Sequence, residues 1–327
     1  MTGTGRKVLL AAALILLGLG AAVWWQFTTD IAAAKARVAQ GSTLIDTPCG
    51  RIEYQAAGEG PVLLAVHGSG GGFDQGMAFA APLIAQGIRV VAMSRFGYLR
   101  TPMPPDGSAE AQADAFVCLL DGLGIDRAAV MGGSAGALSA LQMAIRHPER
   151  VSALILLVPL GYRPPGAAPS APPMTAWVEA AMMRVIGSDV LFWAGLHVAR
   201  DRMIATVVAT PPAVVVAASP AERARVNAML DAILPVSARA AGLRADTAAG
   251  KAMAPAELTC VTAPTLIVSA RDDGFGTYAS AEYMAGQIRG ARFLGFQTGG
   301  HAWVGHNDAV MAAIAGLVLS TQAAPTP

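Results

Sequence analysis

Ser134 stands in Gly132-Gly133-Ser134-Ala135-Gly136, a Gly-x-Ser-x-Gly spacing between an apolar run and an alanine-rich one. A serine so placed belongs on a tight strand-to-helix turn that pushes its hydroxyl clear of the chain as a nucleophile. Glycines two residues to either side are expected, because a Cβ there would meet neighbouring backbone. With 36 glycines in the chain, the spacing alone says little, and its flanks decide. Residues 127–131 read as a short strand and 138–145 as an apolar helix. A serine hydroxyl attacks only when a base takes its proton and a third group orients that base. Of five histidines, His67 is tied to a glycine-rich turn, His147 ends a helix before Pro148, and His197 lies in a helical stretch. His306 sits beside Asn307 and Asp308, where helix capping explains it. His301 follows Gly299-Gly300 directly after a strand-like run, so it is the expected base. The acid is expected on a strand-end loop between Ser134 and His301. Ala270-Arg271-Asp272-Asp273-Gly274 supplies two aspartates. One would hold the histidine, and the other would face solvent or pair with Arg271.

The elements that must position these groups follow from hydropathy patterning. Residues 42–47 and 50–55 read as a hairpin around Pro48-Cys49-Gly50. Runs 61–66, 88–93 and 151–158 are nearly continuous apolar strands, as in a sheet buried on both faces. Residues 127–131 are a short strand between the last two, and the sheet pattern resumes at 264–269 and 292–298. Helical segments alternate with them, notably 109–123 and 308–322. The expected fold class is therefore α/β, a mostly parallel sheet with helices on both faces. Residues 161–173 are rich in Pro, Gly and Ala and read as a linker. Residues 174–258 show helical periodicity, with Trp177, Phe192, Trp193 and several methionines, and read as an inserted helical cap. Most of those methionines are core filler, and a few suit a pocket wall.

The N-terminus carries Arg6 and Lys7, then an apolar run over residues 8–27 that is long enough to cross a bilayer. Trp24 and Trp25 fall at its far end, where indoles favour the interface, and the basic residues predict a cytoplasmic N-terminus. The run ends in Trp-Trp-Gln-Phe, a poor cleavage site, so an uncleaved anchor is expected over a signal peptide of a secreted protein. The divisions are an anchor and helical stalk at 1–40, a first core part at 41–160, the cap at 161–258 and a second core part at 259–323. The catalytic part is expected outside the cytoplasm, periplasmic or extracellular. Of the 327 residues, 54% are hydrophobic and 14% charged, and the net charge is +1. That balance gives no electrostatic basis for nucleic-acid binding. The three cysteines lack zinc-site spacing. Cys118 is expected in the core, which leaves Cys49 and Cys260 as the pair if one forms.

Four pieces in order now carry a resemblance: His67-Gly68-Ser69-Gly70, the Ser134 motif, Ala270-Arg271-Asp272-Asp273, and Gly300-His301. The chain resembles the α/β-hydrolase superfamily over about residues 42–322. Members often show Gly-x-x-Asp at the acid loop, which implies Asp273 as the acid. The resemblance then implies Ser134 as nucleophile, His301 as base, and the backbone N–H groups of Ser69 and Ala135 as the oxyanion hole. The chain departs from the family at Ser94-Arg95-Phe96-Gly97-Tyr98, where many members carry Asp-x-Arg-Gly, and at Thr277, where a proline is common. Neither touches a triad role. The expected function is a serine hydrolase acting on an ester or other acyl bond of a small to medium apolar substrate, without metal or organic cofactor. Serine at the turn argues against relatives that use an aspartate nucleophile. Carbon–carbon hydrolases, cofactor-free haloperoxidases and acyltransferases share the arrangement and stay open as alternatives. A membrane-tethered sensor that turns over slowly is the reading from another class.

Overall fold

The computed structural model describes residues 3–162, 175, 177, 183–184, 187–251 and 256–321. The linker expected at 161–173 lies almost wholly outside them. An eight-stranded sheet forms the centre: β1 (Thr43–Thr47), β2 (Gly50–Ala57), β3 (Val62–Val66), β4 (Arg89–Met93), β5 (Ala128–Gly133), β6 (Val151–Leu157), β7 (Thr265–Ala270) and β8 (Arg292–Phe296). Their spatial order is β1-β2-β4-β3-β5-β6-β7-β8. The first two pairings are antiparallel, and every later one is parallel. Strands β5, β6 and β7 are buried at every position. That is why they read as unbroken apolar runs rather than alternating ones.

Helices cover both faces. Helix α1 (Gly3–Ala39) precedes the sheet, α2 (Phe73–Ile84) follows β3, α3 (Ala109–Gly122) follows β4 and α4 (Gly136–Arg146) follows β5. Between β6 and β7 lie α5 (Asp189–Val198), α6 (Arg200–Val207), α7 (Pro212–Ala217), α8 (Pro220–Asp231) and α9 (Ala240–Lys251). The chain ends with α10 (Tyr278–Gln287) and α11 (Asn307–Ser320). Starts of several helices are written in the sequence. The hydroxyls of Ser108, Ser188 and Ser219 accept the backbone N–H three residues on, capping α3, α5 and α8. Pro220 adds the fixed φ of a first-turn proline.

Helix α1 is long and apolar enough to cross a membrane, with a mean hydropathy of 1.9 over its best window. Leu14, Leu17, Trp24 and Trp25 on it are exposed. Its last third is different, because it packs on the protein instead of standing free as a stalk. Phe27 and Ile31 join the cap's apolar cluster, and the Phe27 and Trp193 rings meet edge to face at 5.6 Å. Trp193 Nε1–H donates to Asp30 at 2.8 Å. Arg37 donates to Asp74 and to the carbonyls of Ala232 and Leu234.

The cysteines correct an expectation. Cys49 pairs with Cys118, and Cys260 is free and exposed. Cys49 sits in the β1–β2 turn, which lies against α3, and the two Cα atoms are 6.1 Å apart. Cys118 is thus not a simple core residue. Hairpin packing decides the partner, and sequence separation does not reveal it.

Candidate active site

The turn at Ser134 comes out as its glycines require. Ser134 has φ 50°, the left-handed region that costs a side chain energy. Its N–H donates to Leu157 O at 2.8 Å, and its carbonyl accepts from Leu160 N at 3.0 Å. Strand β6 therefore fastens the strained residue from the side. A Cβ on Gly136 would lie 2.3 Å from His67 O, and one on Gly132 would lie 2.8 Å from Ala137 Cα. Neither position admits a larger residue unless the turn opens.

The two aspartates take separate tasks. Asp273 Oδ2 lies 2.8 Å from His301 Nδ1. It also receives the Thr277 hydroxyl, and Oδ1 accepts Phe275 N–H at 2.8 Å. Ser269 meets Thr277 at 2.9 Å, completing a short chain of hydroxyls behind the acid. The Asp273 side chain is fully shielded while that of His301 is 12% exposed, so the acid is sealed and the histidine reaches the cavity. With Nδ1–H committed to Asp273, the basic nitrogen is Nε2. Asp272 neither faces solvent nor pairs with Arg271. It accepts Gly299 N–H at 3.2 Å and Gly300 N–H at 2.7 Å, closing the loop that carries His301. Arg271 instead lies over the Tyr278 ring.

The remaining histidines are accounted for. His147 bonds Asp114 at 2.7 Å, and His197 packs on Trp193. His306 makes no side-chain cap. It stacks on Phe296 at 3.8 Å, and its Nε2 meets Thr298 O. His67 is fully buried, with Nδ1–H donating to Gly68 O and Nε2 accepting Arg95 N–H. Burial and then the nearby Arg95 charge push its pKa down to about 3.

That depression has a sign. Between about pH 3 and 6.5 the unfolded chain binds a proton at His67 that the native state refuses, so stability falls as pH falls through this window. From this group alone, the protein is expected to be about 2 kcal/mol less stable at pH 5 than at pH 7. Urea unfolding at the two pH values checks it. The pH difference should shrink by that amount in His67→Gln and stay put if another group is responsible.

Ser134, His301 and Ser69 line one cavity of about 610 Å³, mouth included, whose other walls include Phe79, Val208 and Trp303. Among the described residues, no protein acceptor takes up the N–H of Ser69 or of Ala135. Ala135 is buried directly after Ser134 at the start of α4. Gly68 N–H is already committed to Gln75 Oε1. A Cβ on Gly71 would lie 2.5 Å from the same oxygen, so that glycine packs a loop rather than loosening it. Among the described residues, no group of three or more His, Cys, Asp or Glu gathers as a metal set. A serine, a carboxylate-held imidazole and the unspent Ser69 N–H at an apolar cavity, with the unspent Ala135 N–H directly after the serine, are the parts needed for attack on a carbonyl.

A family model described as alpha/beta hydrolase fold matches residues 61–304. The chain belongs to the α/β-hydrolase family. The 2-hydroxy-6-oxo-6-phenylhexa-2,4-dienoate hydrolase of Comamonas testosteroni is 34% identical over 115 residues, which are 34% of this chain and 40% of that relative. The match thus spans less than half of the relative's length. A solved α/β-hydrolase fold protein from Nakamurella multipartita is 27% identical, with a TM-score of 0.72 over 85% of this chain and 98% of that one. A membrane phospholipase A described as a bacterial virulence factor has a TM-score of 0.66 over 98% of this chain and all of its own, at 21% identity, a likeness of fold.

In this α/β-hydrolase fold, contacts from the helices between β6 and β7 also hold the loops around the cavity. The Ala209 carbonyl accepts Gly274 N–H at 2.9 Å and His301 N–H at 3.3 Å, tying the acid loop to the histidine loop. Thr210 Oγ accepts Ala302 N–H at 3.1 Å. From α8, Arg225 donates to Ala302 O and Glu222 accepts Gly305 N–H. None of these carries a motif, because each meets a backbone group on the site loops that any sequence supplies.

Proposed function

We propose that the chain is a serine hydrolase cleaving an ester or other acyl bond of a small to medium apolar substrate. Ser134 attacks the carbonyl while His301 takes its proton and Asp273 holds the imidazole. The N–H groups of Ser69 and Ala135 receive the developing oxyanion. His301 then protonates the leaving group, and water, deprotonated by the same base, releases the acid from the acyl-enzyme. The observation that carries this reading is the opening of Ser134, the Asp273-bound His301 and the Ser69 loop onto one apolar cavity.

Carbon–carbon bond hydrolysis is the second reading, favoured by the named activity of the Comamonas relative. That relative's substrate, by its name, is a dienoate and so carries a carboxylate. Among the described residues, no lysine or arginine lines the cavity here, and an anionic substrate would be held there without a counter-charge. The cavity therefore favours a neutral acyl group. Turnover of p-nitrophenyl esters of rising chain length, beside bleaching of a 2-hydroxy-6-oxo-dienoate chromophore, tests the choice. Ester turnover at least 100-fold above dienoate turnover is expected. The reverse order would make the protein a carbon–carbon hydrolase, and failure with both would favour a slow-turnover sensor.

The placement we propose is an uncleaved anchor with the catalytic part outside the cytoplasm. Arg6 and Lys7 before the apolar run support it, as does the disulfide, a bond of oxidising compartments. Cleavage after Ala34-Lys35-Ala36, a downstream small-x-small run, would remove Phe27 and Ile31, which fill the cap's apolar cluster.

A further inference from the structure

Helix α9 of the cap carries Asp246, a carboxylate that serves no step of the mechanism above, yet it is the most heavily bonded acid near the cavity. Arg95 grips it through both guanidinium ends, each at 2.7 Å. Tyr98 OH donates to it at 2.5 Å, and Ser69 Oγ donates at 2.8 Å. The side chains of Asp246 and Arg95 are only 11% and 8% exposed. Burial opposes charge on Asp246, but the Arg95 charge and the three donors outweigh it and hold the carboxyl below its usual range. A buried carboxylate with this set of donors sits in one place.

The same cluster grips the loop that supplies Ser69. Arg95 Nε–H donates to His67 O at 2.9 Å, and Arg95 N–H to His67 Nε2 at 2.9 Å. Gly70 N–H lies 3.4 Å from Tyr98 OH. Helix α9 is seated directly on this arrangement, with Gly242 N–H donating to Gly97 O at 2.9 Å. Among the described residues, the side-chain hydrogen bonds that hold residues 67–70 from outside come from Gln75, Arg95, Tyr98 and Asp246. From the segment 94–98, which departs from the family pattern, Arg95 and Tyr98 reach Asp246.

We propose that Asp246 is a positioning residue that fixes the Ser69 N–H for the oxyanion, so that seating of the cap completes the oxyanion hole. The inference rests on the hydrolase reading above. Ser69 lines the cavity with a backbone N–H that no described protein acceptor takes up, and its hydroxyl ties the same residue to the cap. A donor displaced by even 1 Å from a developing oxyanion loses much of its effect on rate. It loses far less on ground-state binding, since the substrate carbonyl is a weaker acceptor.

The test uses the full chain in detergent, p-nitrophenyl butyrate as substrate and phenylboronic acid as the tetrahedral mimic. Ser69→Ala keeps the backbone donor and the Arg95–Asp246–Tyr98 cluster but cuts the tie. It is expected to lower kcat roughly 10-fold or more with KM within about 3-fold, and to weaken phenylboronic acid by a factor close to the loss in kcat/KM. Its thermal midpoint should match the wild type, and Ser69→Thr, which retains the hydroxyl, should restore most of kcat. Asp246→Asn should show the same split, and the double variant should lose less than the product of the two single losses, because both break one bond. Ser69→Ala decides alone if Asp246→Asn does not fold. Full kcat and unchanged phenylboronic acid affinity in Ser69→Ala overturn the inference. Wild-type protein that neither hydrolyses the ester nor reacts with a fluorophosphonate overturns the hydrolase reading and this inference together. Labelled wild type beside an unimpaired Ser69→Ala overturns the inference alone.

Discussion

Ser134→Ala is expected to abolish ester turnover, with kcat falling by roughly 10³- to 10⁶-fold, and to abolish labelling by a fluorophosphonate. The protein should remain folded, because alanine fits the space and no side-chain hydrogen bond of Ser134 to a described residue holds the turn. Circular dichroism and the thermal midpoint check that point. Backbone strain supplies an independent arm. At φ 50° alanine carries the same left-handed penalty as serine, whereas glycine does not. Ser134→Gly should therefore be as inactive as Ser134→Ala but more stable by about 1 kcal/mol. A gain in stability paired with lost activity is the signature of a residue kept strained for its chemistry. Equal labelling of wild type and Ser134→Ala would place the nucleophile elsewhere and end the acyl-enzyme reading.

What the sequence made legible, and what it hid, divides along physical lines. Strands β3 to β7 showed themselves because a sheet covered on both faces demands unbroken apolar runs, as buried Leu156 and Ile267 illustrate. The Ser134 turn was legible because steric exclusion at Gly132 and Gly136 is a property of residue type. His301 followed from chain order and a glycine pair. The residues by themselves did not separate Asp272 from Asp273, since adjacent aspartates on one loop differ only in which way each points; only the resemblance's Gly-x-x-Asp spacing pointed to Asp273. Thr277 looked like a mere departure from a family proline, yet its hydroxyl backs the acid. Glu53 passed as an ordinary strand residue. It is fully buried and collects Ser42, Ser94 and Arg100, a set drawn from three segments that no local pattern joins. The cysteine pairing failed for the same reason: whether Cys49 meets Cys118 or Cys260 depends on where the β1–β2 turn lands. Long-range polar contacts are decided by packing, and packing is what a one-dimensional pattern omits.

Asp74→Ala is expected to be the most destabilising single change outside the sheet, costing about 3–5 kcal/mol. Asp74 lies in the first turn of α2 and is gripped from two directions. Arg239, fully buried just before α9, donates to both its oxygens at 3.1 and 2.8 Å, and Arg37 of α1 donates to Oδ2. Removing the carboxylate leaves the Arg239 charge in the interior with only the carbonyls of Ile233 and Ala232, which is the costly case. Replacing both partners is a different matter, because Asp74→Leu with Arg239→Met removes the charge along with its need for a partner. The double variant should recover much of the loss, and urea unfolding of the detergent-solubilised protein reads the cycle. Arg37 adds a link to α1. A chain begun at Gly41 loses Phe27, Ile31 and Arg37 together, exposes the apolar cluster they cover and leaves Asp74 with one arginine. It should be less stable than a chain begun at Gln26, which keeps all three. Should the two chains unfold at the same urea concentration, α1 would be a tether and nothing more. A difference makes the helix a structural part of the cap, because Phe27 and Ile31 then contribute to its apolar cluster.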